Sequence, residues 1–295
     1  MMNSLLERYH ALFGDTLQQY RHTVLPSAIW ITGLRPKEHI IARLKQQRFS
    51  LQTLSFSSHS SKGYIATKVP HALGATPLYL LGYYTLQESA SQFPVLVLDP
   101  QPHDLVIDMC AAPGMKTIQL STLMQNKGTI IACDVKQERL FALQNNLERC
   151  GITNCIVLHS DARKLRLQEK ADKILLDAPC SGNFLTDVTW LKKRKPADFR
   201  RMAQAQCELL AHGISLLKEN GTLVYSTCSL EPEENEEVID WALKNLHISL
   251  EPVHAPIGMP GMTKVFGKNL SPQVAKTWRL MPPQCQGFFV AKLRK

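Results

Sequence analysis

Short apolar runs alternate with longer amphipathic segments from residue 105 to residue 245, and this alternation constrains the fold more than any other feature of the chain. The runs predicted as strands are LVIDM, TIIAC, CIVLH, DKILL and TLVYS, at 105–109, 129–133, 155–159, 172–176 and 222–226. Predicted helices cover 115–125, 136–150, 200–218 and 233–245, and late strands follow at 278–281 and 287–293. Such alternation is typical of a parallel sheet covered by helices. We therefore expect an α/β fold with an open Rossmann-like sheet and a ligand at the carboxyl ends of its strands.

The first 75 residues have a different pattern, which predicts a small α+β domain. Apolar residues at spacings of one to four within 3–25 indicate one face of an amphipathic helix. Strands are predicted at 28–33, 49–56 and 63–69, and a helix at 36–47. The loop at 70–77 then leads into a second domain, 76–295.

Composition narrows the partners and the chemistry. Lysine and arginine number 34 against 25 acidic residues, a formal net charge of +9 that favours a polyanionic partner. On charge alone, a basic protein without a nucleic-acid partner fits equally well. The eight cysteines include no C-x-x-C pair, so we expect no metal site. We see no signal-peptide core and no apolar run of about 18 residues, and expect a cytoplasmic, monomeric protein without membrane contact.

The segment DMCAAPGMKT (108–117) follows a predicted buried strand and opens a predicted helix. Its backbone N–H groups and the helix N-terminus can surround a carboxylate or a phosphate, although it matches neither G-x-G-x-x-G nor the P-loop. Small residues permit a ligand to approach closely, and Lys116 can face a carboxylate. A tight strand-to-helix turn without a ligand is the alternative interpretation.

Two aspartates stand at the ends of the next two strands. Asp134 comes 20 residues after Gly114, the spacing at which dinucleotide sites place an acidic residue on the ribose hydroxyls. Asp161 follows the third strand, where it can accept a hydrogen bond from an adenine amino group. Each aspartate alone is more simply a helix cap or a turn residue, but together with the loop they favour a nucleotide-like ligand.

Two cysteines, in DAPCSG (177–182) and STCS (226–229), lie just past predicted strands on the same edge of the sheet. A single cysteine is usually an inert buried thiol, but two thiols beside Asp177 favour chemistry. Carbon 5 of cytosine is a poor nucleophile, and addition of a thiolate at carbon 6 converts it to an enamine that can take a methyl group. Asp177 can hydrogen-bond the cytosine N3 and amino group. From the residues alone, Cys180 and Cys228 are both candidates for the nucleophile.

Seven stretches extend this pattern almost continuously over residues 73–295. They are LGATPLYLLGYYTLQESAS, DMCAAPGMKT, ACD with Arg139, SDA, LLDAPCSG, GTLVYSTCSLEPEENEEVI and RLMPPQCQGFFVAKLRK. In these stretches the chain resembles the Nol/Nop/Sun family of RNA cytosine-5 methyltransferases, and the combination of DAPCSG with YSTCS is the most specific feature. One departure is Met115, where the family usually has a second glycine.

The resemblance implies a Rossmann-like methyltransferase domain that uses S-adenosylmethionine to methylate carbon 5 of cytosine in RNA. By position, Cys228 is implied to be the nucleophile and Cys180 to help release the product, with Asp177 in the active site. The residues implied to contact the cofactor are Cys110, Ala111, Ala112, Pro113, Gly114, Met115, Lys116, Asp134, Arg139, Asp161 and Asp177.

The compact length and the PP...FFVAKLRK ending most resemble the archaeal tRNA cytosine-5 methyltransferases, which implies a tRNA substrate and an N-terminal domain that binds RNA. The alternatives are an rRNA cytosine-5 methyltransferase, an enzyme that methylates an exocyclic amine, and an RNA-binding assembly factor without turnover. LKKRK (191–195) is either a phosphate contact or a solvated loop. EPEENEE (231–237) is expected to begin a helix, whose dipole favours these carboxylates.

Overall fold

The computed structural model describes residues 5–16, 24–56, 62–187, 189–282 and 285–295. Parts of the predicted N-terminal helix, at 3–4 and 17–23, lie outside these residues. Pro283, in the C-terminal motif, also lies outside them.

The N-terminal part of the chain contains both helices and strands, as the sequence pattern predicts. Its elements are α1 (Leu5–Phe13), β1 (Ala28–Ile31), α2 (Lys37–Gln46), β2 (Ser50–Thr53), β3 (Gly63–Lys68), α3 (Pro77–Leu80) and β4 (Tyr84–Leu86). The four strands form an antiparallel sheet in the order β2-β3-β1-β4. Ile29 and Ile31 point to one face of this sheet because they alternate along β1, and Ile40 and Leu44 share one face of α2 at i and i+4. These four side chains form one buried core.

The N-terminal sheet extends past residue 75, where the sequence pattern placed the domain boundary. β4 pairs with β1, and Thr85 lies opposite Trp30. The Tyr84 hydroxyl donates a hydrogen bond of 2.7 Å to the Leu73 carbonyl, which ties the connecting segment to this strand. A strand of three residues is too short to produce a recognisable alternation, so its place in the N-terminal sheet is not visible in the sequence.

The remainder of the chain forms a larger sheet with five parallel strands. These are β5 (Leu105–Asp108), β6 (Thr129–Asp134), β7 (Cys155–His159), β8 (Ala171–Asp177) and β9 (Leu217–Thr227). Antiparallel strands extend it: β10 (Ser249–Glu251), β11 (Met259–Pro260), β14 (Trp278–Leu280) and β15 (Phe288–Arg294). The order is β11-β14-β15-β9-β8-β5-β6-β7, and β10 also pairs with β15. A separate hairpin joins β12 (Lys264–Val265) and β13 (Lys268–Asn269).

Helices cover the larger sheet, and its strands are apolar on both faces. The helices are α4 (Ser89–Leu98), α5 (Met115–Leu123), α6 (Gln137–Arg149), α7 (Trp190–Lys193), α8 (Pro196–Leu216) and α9 (Glu236–Asn245). Neighbouring residues of a strand enter different cores: Leu176 and Tyr225 pack in one, Leu175 and Val224 in the other. Burial of both faces explains why these strands read as continuous apolar runs. The predicted Rossmann-like α/β sheet is confirmed.

The order of the parallel strands reverses at β5. From β5 the chain builds β6 and β7 on one side, and it then crosses over to build β8 and β9 on the other. In open α/β sheets such a reversal leaves a crevice at the carboxyl ends of the strands, because the flanking connections diverge to opposite faces. The fold therefore places a ligand site where the sequence motifs converge.

The EPEENEE segment does not begin the helix where its charge pattern predicts. Residues 232–234 form a 3-10 turn, and α9 begins at Glu236 instead of residue 233. The turn directs the Glu234 side chain into the protein interior. Within the described ranges, the helices lack the combination of length and apolarity that is needed to cross a membrane.

Candidate active site

A cleft of about 460 Å³ opens at the carboxyl edge of the parallel sheet. Each of the five parallel strands contributes to its lining, through Cys110 after β5, Asp134 on β6, Asp161 after β7, Asp177 on β8 and Cys228 after β9. The volume is in the range of small-molecule sites, roughly 300–1,000 Å³.

Two thiols meet on one side of this cleft. β8 and β9 are parallel neighbours in which Asp177 lies opposite Ser226, so the residues that follow them emerge at the same edge. Cys180 and Cys228 occupy these positions, and their sulfur atoms are 3.1 Å apart. The structure thus brings together the two cysteines that the motifs single out from eight.

The contact between the thiols separates their pKa values. With the Cys180 thiol as the donor, the Cys228 sulfur is stabilised as a thiolate and its pKa falls below the ordinary value, although burial opposes the effect. The same hydrogen bond and burial raise the pKa of Cys180 well above its ordinary value. Among the nearby charges, Asp177 raises the pKa of Cys228 and Lys116 lowers it, so the hydrogen bond from Cys180 is what makes Cys228 the more acidic thiol. Cys228 is therefore the better nucleophile of the two.

Asp177 and Lys116 form an ion pair beside the thiols. The Lys116 ammonium donates to Asp177 Oδ2 at 2.7 Å and to the Ser91 hydroxyl at 2.9 Å. The other carboxylate oxygen, Asp177 Oδ1, accepts from the Ser226 hydroxyl at 2.8 Å. The resemblance implies that Lys116 contacts the cofactor, whereas here its side chain pairs with the active-site carboxylate and does not line the cleft.

Asp134 provides an open acceptor on the opposite side of the cleft. Its Oδ1 accepts from the Lys136 backbone N–H at 3.0 Å, as in a helix cap. Its Oδ2 is buried and accepts no hydrogen bond, although Arg139 Nη1 lies 3.1 Å away. Arg139 also donates to the Ala112 carbonyl, so it joins this aspartate to the loop after β5. A buried acceptor without a donor fits a ligand hydroxyl, such as one on a ribose.

Asp161 lines the cleft but is already engaged. It accepts from the Arg163 backbone N–H at 3.0 Å and caps a 3-10 turn. The Arg163 guanidinium holds the same carboxylate at 2.7 Å, which lowers the pKa of Asp161. The cap interpretation is confirmed, and the contact with an adenine amino group stays a prediction.

The loop between β5 and α5 contributes to the cleft only in part. Cys110 and Ala112 line it, while Ala111, Pro113, Gly114 and Met115 do not. Burial and the negative charges around Cys110 raise its pKa well above the ordinary value, so this thiol is inert.

The substitution of Met115 for the usual glycine is tolerated by the local backbone. Gly114 carries the left-handed conformation, with φ of 105°, and a Cβ there would lie 2.7 Å from Leu143 Cδ1. Met115 is the first residue of α5 and has no such constraint. The loop therefore needs glycine at 114 only.

Several residues that line the cleft are not among those predicted to contact a ligand or to act in catalysis. They are Met109, Val135, Lys136, Ala162, Arg163, Ala178, Pro179, Ala205 and Leu209. Most of these adjoin predicted residues at strand ends. Ala205 and Leu209, however, come from α8, and their i, i+4 spacing is the only local signal that they share a face. Within the described ranges, no group of three or more His, Cys, Asp and Glu side chains is placed to hold a metal ion.

A family model described as 16S rRNA methyltransferase RsmB/F matches residues 95–294. The chain belongs to this family. The matched region contains all five parallel strands, the cleft and both cysteine motifs, and membership confirms the resemblance that these motifs suggest.

Relatives of this RsmB/F-family chain differ in length and in the RNA that their names specify. The mouse 28S rRNA (cytosine-C(5))-methyltransferase is 38% identical over 92% of this chain but only 35% of its own length. The chain spans about a third of the length of the first curated relatives it matches. The tRNA (cytosine(49)-C(5))-methyltransferase of Pyrococcus abyssi is 34% identical over 99% of this chain and 95% of its own length.

A solved structure shows the same fold. The methyltransferase homologue protein from Pyrococcus horikoshii superposes with a TM-score of 0.89 and 38% sequence identity, covering 98% of this chain and 93% of that chain.

Proposed function

We propose that this protein transfers a methyl group from S-adenosylmethionine to carbon 5 of a cytosine in RNA. The observation that carries the proposal is the pair of thiols 3.1 Å apart in the cleft, next to the Asp177 carboxylate. A methyltransferase acting on an exocyclic amine has no use for a nucleophilic thiol, and an assembly factor without turnover has no use for either cysteine. Family membership supports the same reaction.

The cleft fits S-adenosylmethionine. Asp134 and Arg139 would hold the ribose, Asp161 would face the adenine, and Cys110 and Ala112 would border the methionine part. The buried, unpaired Asp134 Oδ2 is the feature that most calls for a ligand hydroxyl. When bound, the cofactor supplies an electrophilic methyl group.

The residues on the thiol side of the cleft have different roles in the reaction of the base. The Cys228 thiolate adds to carbon 6 of cytosine, which makes carbon 5 an enamine carbon and therefore nucleophilic. Asp177, held by Lys116 and Ser226, would orient the base by accepting a hydrogen bond from its exocyclic amino group. After methylation a base takes the carbon-5 proton, the electron pair of that C–H bond re-forms the 5,6 double bond, and Cys228 leaves carbon 6 as a thiolate. Cys180 assists this release.

We further propose tRNA as the substrate. The relative that matches along nearly its whole length is named as a tRNA methyltransferase. An rRNA substrate is the second candidate, because the mouse relative, named as an rRNA methyltransferase, is 38% identical. A cytoplasmic location and a monomeric state stay predictions from the sequence.

The N-terminal domain, predicted over residues 1–75, is proposed to contact this RNA. Arg43, Lys45 and Arg48 are exposed on α2 and just after it. Exposed cations on one element are suited to contact phosphates.

The test uses purified protein, methyl-labelled S-adenosylmethionine, and either tRNA or rRNA that lacks the modification. We expect label in 5-methylcytidine by nucleoside mass spectrometry, in tRNA and not in rRNA. Label in an N-methylated cytidine would contradict the proposed reaction. Label in rRNA alone would show that rRNA, and not tRNA, is the substrate. Bisulfite mapping of RNA from a strain without the protein then identifies the position.

A further inference from the structure

Glu234 lies between the two segments that carry the thiols, and it is fully buried. Its Oε2 accepts from the Ser181 backbone N–H at 2.9 Å and from the Gln206 side-chain amide at 3.0 Å. Its Oε1 accepts from the Ser229 hydroxyl at 2.9 Å and from the Ser181 hydroxyl. Four donors from three residues thus converge on one carboxylate.

These donors adjoin the two cysteines. Ser181 directly follows Cys180, and Ser229 directly follows Cys228. The Gln206 amide also donates to the Pro179 carbonyl at 2.9 Å, so it holds the residue before Cys180 as well. Movement of either thiol segment relative to the other must therefore stretch hydrogen bonds to the same carboxylate.

The donor count indicates the charge that Glu234 carries. An ionised carboxylate offers about four acceptor sites and no donor, which matches the four donors around it. Burial raises the pKa of Glu234 above its ordinary value, although the hydrogen bonds from Ser181, Ser229 and Gln206 oppose the effect. The Ser181 backbone N–H and the Gln206 amide cannot accept, so Oε2 must stay an acceptor, and the four donors together fit the anion.

We propose that Glu234 is a positioning residue that sets the separation and orientation of the Cys180 and Cys228 thiols. The inference rests on the proposed function, in which the two thiols act in turn on one base. A covalent mechanism needs the attacking and the releasing group at fixed places, since displacement by about 1 Å can cost about 100-fold in rate. The charge pattern of EPEENEE alone assigns these carboxylates only to a helix N-terminus.

Glu231 provides a matched control in the same segment. It is equally buried, but its carboxylate accepts from Arg8 at 2.7 Å and from the Tyr9 hydroxyl at 2.6 Å. In the described part of the chain, the side chains of Ser181, Ser229 and Gln206 donate to Glu234 and not to the Glu231 carboxylate. Glu231→Gln therefore alters a buried carboxyl group of the same segment without releasing the thiol segments.

The first measurement does not require turnover. Diamide oxidises two adjacent thiols to a disulfide and takes up their two protons and two electrons as it becomes the hydrazine. We expect the Cys180–Cys228 disulfide, identified by peptide mass, to form about tenfold more slowly in Glu234→Gln than in the unaltered protein. Glu231→Gln should form it at the unaltered rate.

The second measurement is steady-state methylation of RNA. We expect Glu234→Gln to lower kcat about tenfold and to leave the KM for S-adenosylmethionine within about twofold, because Glu234 does not line the cleft. Equal losses in Glu234→Gln and Glu231→Gln would reduce the role to general stability and overturn the proposal. An unaltered disulfide rate in Glu234→Gln would also overturn it.

One further variant and one further outcome separate a failure of this proposal from a failure of folding or of the proposed function. If Glu234→Gln does not fold, Ser229→Ala removes one of the four donors, and we expect about threefold slower disulfide formation and turnover; unaltered values there would contradict the proposal. If the unaltered protein methylates no cytosine, the proposed function fails while the disulfide measurement still decides the role of Glu234.

Discussion

The two halves of the cleft differ in whether their polar groups already have hydrogen-bond partners. In the half proposed to hold the ribose (the ribose half: Asp134, Arg139 and Asp161), the buried Asp134 Oδ2 accepts no hydrogen bond, although Arg139 Nη1 lies 3.1 Å away. In the thiol half, formed by Asp177, Cys180 and Cys228, both Asp177 oxygens and both sulfurs have partners. A group that exchanges a ligand must keep acceptors open, whereas a group that forms a covalent bond must be held in place before the substrate arrives.

The largest expected effect comes from removing the nucleophile in the thiol half. Cys228→Ala should lower kcat by about 1,000-fold or more, because it removes the attacking thiol and leaves Cys180, which is proposed to act in release. Binding of S-adenosylmethionine, measured by calorimetry, should stay unaltered because the ribose half is intact. Cys155→Ala, on β7 and outside the cleft lining, is the control and should retain activity. Methylation that survives Cys228→Ala would refute the mechanism.

Removal of the second thiol should stop the reaction at a different point. Cys180→Ala should lower turnover about 100-fold and accumulate a covalent protein–RNA adduct, because attack proceeds while release is impaired. The adduct is measured as a slowly migrating band on a denaturing gel. If Cys228→Ala accumulates the adduct instead, the roles of the two cysteines must be exchanged.

A change in the ribose half should weaken the binding of S-adenosylmethionine and leave the rate of methyl transfer unaltered. Asp134→Asn should raise the KM for S-adenosylmethionine about tenfold, since the amide cannot replace both lone pairs of a charged acceptor, with kcat within about twofold. Asp172→Asn is the control, because Asp172 lies on β8 at the opposite edge of the same sheet, next to Lys218. A fall in kcat without a change in KM would show that the halves are not separable.

The smallest expected effect is a shift in the pH dependence of one thiol. In the folded protein the Cys180 hydrogen bond lowers the pKa of Cys228, so the thiolate is present below the pH at which an ordinary cysteine ionises. Cys180→Ala removes this donor, and the pKa of Cys228 should rise. Alkylation of Cys228 by iodoacetamide, followed by peptide mass, should then need a higher pH. A profile that does not move would show that Lys116 alone sets the ionisation.

The sequence predicts the parts of the site that are local. Asp134, Asp177 and the two cysteines follow apolar runs directly, and strands of one parallel sheet end at one edge, so their meeting follows from the fold class. The signals for the helices are also local. α8 differs from its prediction mainly at its start, because it begins at Pro196 and not at the predicted residue 200.

What the sequence could not predict depends on contacts between distant segments. Within its loop Lys116 is predicted to contact the cofactor, and only the three-dimensional structure shows that its ammonium group meets Asp177 at the end of β8. In the sequence, Glu234 is one of several carboxylates before a predicted helix. Only the 3-10 turn at 232–234 shows that its side chain is buried between the cysteine segments. Neither outcome leaves a signal in local periodicity or charge.

The position of β15 has a consequence for protein synthesis. β15 pairs along the whole second half of β9, the strand that leads to Cys228, and it lies some 60 residues later in the chain. A ribosome that has just released Cys228 into solution has therefore not yet made the strand that flanks it. Until residues 288–294 leave the exit tunnel, one edge of β9 has no strand to pair with, so an incomplete translation product lacks part of the sheet that carries Cys228 to the cleft.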